Sequence, residues 1–172
     1  MILLKDILRE YRDQQIVFVT GTADTGITYD SQKDAGKTAI QNRGYQNIKV
    51  FNGDTELAED GASLYDFLEV NNVNVHRVIL FSLSCQYANR VAGIVGAAKV
   101  YCIEPWSCPG KDSTVSGVSK TSADQIPADH FYVHKEYCGR GNGAQKNIPD
   151  SNFTPSGTGH VEALSWAIGN IL

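Results

Sequence analysis

The chain has 172 residues, with 42% hydrophobic and 20% charged. That is a globular composition, long enough for one domain with a sizeable core, and it excludes a disordered chain. Lys and Arg total 15 against 19 Asp and Glu, a net charge of −4, which argues against a nucleic-acid partner because such affinity comes from clustered cations.

In chain order, residues 1–12 read as a short amphipathic helix with Ile2, Leu3, Ile7 and Leu8 on one face. Charges interrupt it too often for a signal peptide, so the expected location is the cytoplasm. A secreted or virion-associated route would reopen the question of disulfides. No apolar run approaches the ~20 residues of a transmembrane helix. Ile16–Thr20 is a short strand that stops at a Gly-rich turn, Gly21 to Gly26. Ile48–Phe51 is a second strand. Leu64, Phe67 and Leu68 have helical spacing within 62–70. Arg77–Phe81 is apolar on both faces, as expected for the middle of a parallel sheet. A helix follows over 87–97, with Ala88, Val91, Ala92 and Val95 on one side. Lys99–Ile103 is another buried strand. A long Ser-, Gly- and Thr-rich loop spans 106–127, and Phe131–His134 is the last strand. A second loop covers 139–159, and 161–172 closes the chain as an amphipathic helix. Cys85, Cys102, Cys108 and Cys138 lack CxxC spacing and read as free thiols, so neither a metal nor a cofactor is expected.

This alternation predicts a single α/β domain over 1–172: a three-layer sandwich, mostly parallel, with helices on both faces. Ligands then bind at the carboxyl ends of the strands. Thr20-Gly21-Thr22 follows the first strand there. Ser82-Leu83-Ser84-Cys85-Gln86 follows the strongest strand and leads into a helix. Glu136 follows the last strand, and Gly159-His160 precedes the final helix.

The order Ser, acid, His at these positions resembles the α/β-hydrolase superfamily, at its small lidless end of compact bacterial lipases and cutinases. The resemblance covers residues 15 to 172. It implies a serine hydrolase acting on a small-molecule ester or lipid-like substrate. Ser84 would be the nucleophile, His160 the base, and Glu136 the acid, with Asp150 or Glu104 as its alternatives. The N–H groups of Thr22 and Cys85 would line the oxyanion hole. The family's Gly-x-Ser-x-Gly is altered, with Ser82 and Gln86 in place of the glycines. Two rival readings keep the fold: a cysteine hydrolase using Cys85 and His160, and a catalytically inactive protein used for binding or assembly. A third starts from Gly21 to Thr28, which is one residue short of a phosphate-binding loop, with Ile27 where the Lys would stand. His76, His130 and His134 read as surface or strand-edge residues without a role.

Overall fold

A computed structural model describes residues 13–22, 27–105, 125–134 and 148–172. Seven strands form one sheet: β1 (Gln15–Val19), β2 (Ile48–Asn52), β3 (Leu57–Ala58), β4 (Val75–Phe81), β5 (Val100–Ile103), β6 (Phe131–His134) and β7 (Phe153–Thr154). Their order across the sheet is β3-β2-β1-β4-β5-β6-β7. Every pairing is parallel except β2 with β3, a tight hairpin. The centre is β1 beside β4, with Phe18 opposite Ile79 and Val19 opposite Leu80. Both strands carry β-branched and aromatic residues on both faces, so each is buried above and below.

Among the described residues, four helices cover the two faces: α1 (Tyr29–Asn42), α2 (Leu64–Asn71), α3 (Ala88–Val95) and α4 (His160–Ile171). On one side Ile16, Phe18, Ile79, Phe81 and Ile103 pack against Ile40 of α1 and against Leu164, Ala167 and Ile168 of α4. On the other, Val17, Val19, Val78, Leu80 and Cys102 pack against Leu64 and Leu68 of α2 and against Ala88, Val91 and Val95 of α3. The architecture is three-layered α/β, as the alternation predicts.

The middle strands and the last helix fall within a residue or two of their expected bounds. Three elements were not foreseen. One is α1, whose buried positions are Gln32, Gly36 and Ile40, one turn apart. Thr28 caps it: Oγ1 accepts from the Ser31 N–H at 3.1 Å, and Ser31 Oγ accepts from the Thr28 N–H at 3.1 Å. The other two are the two-residue strands β3 and β7. The helix expected from Tyr87 is preceded by a 3-10 turn, Ser82–Tyr87. The N-terminal helix, Cys108, Cys138, most of the 106–127 loop and Glu136 lie outside the described residues. Among the described residues no helix is long and apolar enough to cross a membrane.

Candidate active site at the carboxyl edge of the sheet

The chain leaves β4 through a sharp bend. Ser82 has φ +55°, a left-handed conformation that a non-glycine residue rarely adopts. Such strain persists only where surroundings enforce it, and it clusters at functional sites. Here the enforcing neighbour is the loop after β1. A Cβ on Gly21 would lie 2.7 Å from Ser82 Cβ, so only glycine fits against the bend. Gln32, buried on α1, holds that loop: its Oε1 accepts from the Gly21 N–H at 2.7 Å, and its Nε2 donates to the Thr22 carbonyl at 3.0 Å.

The hydroxyl of Ser84 is not presented at this edge. It is fully buried and accepts from the Phe81 N–H at 2.8 Å. It also lies within donating reach of the carbonyls of Phe81 (2.9 Å) and Val19 (3.1 Å). Ser84 therefore stitches the ends of β1 and β4 together. The physical reason is that the bend falls at Ser82, two residues earlier, and the chain beyond it carries Ser84 inward.

Cys85 is interior too. Its thiol faces the carbonyls of Leu80 at 3.3 Å and Ile103 at 3.7 Å. Burial, then the adjacent Cys102, pushes the thiol well above its ordinary value. Cys85 and Cys102 are free thiols. Gly36-Lys37-Thr38 lies within α1, so it is not part of a loop. Thr28 caps α1, and residues 23–26 of the Gly21 to Thr28 turn lie outside the described residues.

Three ionisable side chains gather on the other side of the bend. Glu104 follows β5 directly, with φ +49° and a side chain only 6% exposed. Its backbone N–H donates to the Tyr132 carbonyl at 2.8 Å, which fixes it beside β6. His134, at the end of β6, sets Nδ1 against Glu104 Oε2 and Nε2 2.8 Å from the Thr158 carbonyl. Thr154 Oγ1, from β7, donates to Glu104 Oε1 at 3.3 Å. His160 opens α4 and brings Nδ1 to 3.7 Å from Glu104 Oε2. Its ring packs on Phe81, the residue before the bend, with centroids 4.6 Å apart. Burial alone would raise the Glu104 carboxyl. Interactions with His160 and His134 outweigh that, so it is held below its ordinary value.

The edge thus unites His160, Glu104, Thr22 and the segment 82–86, while Asp150 lies in a separate 3-10 turn before β7. His134 was missed because alternation along a strand does not reveal what an end residue meets across the sheet. Ser82 was read only as a flanking position, and a positive φ leaves no signature in residue type. Among the described residues no group of three or more His, Cys, Asp or Glu could hold a metal ion. Comparison with protein-family models, curated proteins and solved structures gave no match to the chain. Fold and site together define a three-layer α/β protein with a Ser, Glu and His constellation at the carboxyl edge of its sheet.

Proposed function

We propose that the chain is a serine hydrolase of the α/β-hydrolase kind that cleaves an ester by acyl transfer to water. Ser82 is the nucleophile, His160 the general base and Glu104 the acid that orients it. The observation that carries this is the meeting of Glu104 with His160 beside the strained bend at Ser82, in the chain order Ser, acid, His.

With His160 Nδ1 turned to Glu104, Nε2 is left for the serine. As Ser82 Oγ attacks the ester carbonyl carbon, His160 takes its proton, and Glu104 stabilises the resulting imidazolium. The oxyanion is met by the N–H of Leu83, which follows the nucleophile, and by that of Thr22 in the loop after β1. Each such donor contributes roughly 3 kcal/mol. The alcohol leaves with the proton from His160, and water repeats the sequence on the acyl-enzyme. The donor after the bend is Leu83, rather than the Cys85 that a nucleophile at Ser84 would require.

A thiol mechanism through Cys85 has little support, because the attacking species is the thiolate and burial disfavours it. One observation favours an inactive, binding use of the same fold: no hydrogen bond links Ser82 to His160. Such bonds often tighten only with substrate, and covalent labelling separates the two readings. Incubation with a fluorophosphonate followed by peptide mapping should label Ser82, with labelling lost in Ser82→Ala and in His160→Ala. Absence of labelling together with no turnover of p-nitrophenyl esters of any chain length would refute the hydrolase.

A further inference from the structure

We propose that His134 is held as a doubly protonated imidazolium between Glu104 and the Thr158 carbonyl, and that it positions both the acid and the segment presenting His160. A neutral imidazole carries one N–H. Both ring nitrogens of His134 face acceptors: Nε2 faces the Thr158 carbonyl oxygen at 2.8 Å, and Nδ1 faces Glu104 Oε2. A carbonyl can only accept, so Nε2 must carry a proton. A second proton must then occupy the contact between Nδ1 and the carboxyl, because a lone pair against a buried carboxylate would leave both unsatisfied. Glu104 Oε1 accepts from the Thr154 hydroxyl, and its carboxyl is held below its ordinary value, so at neutral pH it is ionised and the second proton sits on the ring.

The described titratable groups facing this pair are His160, from the start of α4, and, further off, the neutral Cys85 thiol from the 3-10 turn. β7 contributes the uncharged Thr154. A fixed cation on Glu104 has two consequences. It ties the carbonyl two residues before His160 to the end of β6, which sets where α4 begins. It also offsets the charge of the carboxylate that His160 faces. The positioning role rests on the hydrolase reading above, whereas the charge state does not.

The charge state is read in the full chain labelled with ¹⁵N-histidine, by long-range ¹H–¹⁵N correlation at pH 7.5. The chain has four histidines. One ring should show both nitrogens protonated, and that signal should vanish in His134→Phe or His134→Lys. Four rings each with one bare nitrogen would overturn the proposal, and this measurement needs no variant to fold and no activity. The positioning role is read from the pH profile of fluorophosphonate labelling at Ser82. In His134→Phe the uncompensated charge of Glu104 favours the charged form of His160, so the acid limb should move up by about one pH unit, a tenfold change in proton concentration. His134→Lys, which keeps a cation, should move it back. A uniform loss of labelling at every pH in His134→Phe would refute positioning. If the wild-type protein takes no label, the hydrolase reading falls, and the resonance experiment still decides the charge of His134.

Discussion

Replacing Gly36 with alanine tests how closely α1 must approach the sheet. A Cβ there would lie 2.2 Å from Phe18 Cε1, and 2.7 Å from both Cδ1 and Cζ. Ordinary carbon contacts are 3.5–4.0 Å, so helix and ring would have to separate by about 1.5 Å. Phe18 is fully buried in β1 and cannot swing aside. Overpacking of this kind costs about 1–3 kcal/mol, and alanine returns about 1 kcal/mol of helix propensity. Because three ring atoms are struck, the expected net loss is about 2 kcal/mol. For a domain of this size that lowers Tm by roughly 4–8 °C. Gln32 lies one turn earlier on the same face, so the displacement should also loosen the loop at Gly21 and Thr22 and slow labelling at Ser82. Thermal and urea unfolding of Gly36→Ala, Phe18→Leu and the double variant form the assay. In the Phe18→Leu background, alanine at 36 should be neutral or stabilising by up to about 1 kcal/mol. The reasoning fails if Gly36→Ala raises Tm in the wild-type background, or if the two substitutions simply add.

Three further outcomes follow from the same geometry. Ser84→Ala leaves the buried Phe81 N–H without its acceptor and should cost about 1–3 kcal/mol in urea unfolding, while Ser82 still takes the fluorophosphonate. The Glu104 carboxyl is held below its ordinary value of 4.5, so the unfolded chain binds this proton more readily than the folded one. Its contribution to stability is therefore complete above pH 4.5 and is lost as the pH falls through the folded value. In Glu104→Gln, an acid titration of unfolding free energy should lose that part of its slope. Cys85 should resist iodoacetamide in the native protein at pH 7.5 and react once urea opens the fold; native alkylation with loss of labelling at Ser82 would return the thiol reading to favour.

The sheet's centre was legible because Ile16–Val19 and Val78–Phe81 are apolar on both faces, a pattern few other elements share. Helix α1 was hidden because its inward face is an amide, a glycine and one isoleucine, so hydrophobic spacing gives no signal. What makes that face bury is specific: Gln32 satisfies two backbone groups, and Gly36 admits an aromatic ring. At the site, residue types at strand ends indicated His160 and the 82–86 segment. The end of β4 at Phe81 was legible, but centring a Gly-x-Ser-x-Gly pattern on residues 82–86 points to Ser84, and residue type does not show that the left-handed bend falls on Ser82. The pairing of Glu104 with His134 and His160 depends on which strands are neighbours, since these residues are 30 and 56 positions apart. Only the order β5-β6-β7 brings them together.

Both rims of the sheet end in strands only two residues long, β3 on one side and β7 on the other. An outermost strand is where an incoming chain can add by hydrogen bonding, and its hazard grows with its length and flatness. Here the long, strongly apolar strands are all interior. The hairpin rim is also pinned by the ion pair of Lys49 with Asp60. Among the described residues, then, the margins offer little template to another copy. A concentrated solution should stay free of fibrils even though the middle of the sheet is rich in the β-branched residues that favour them.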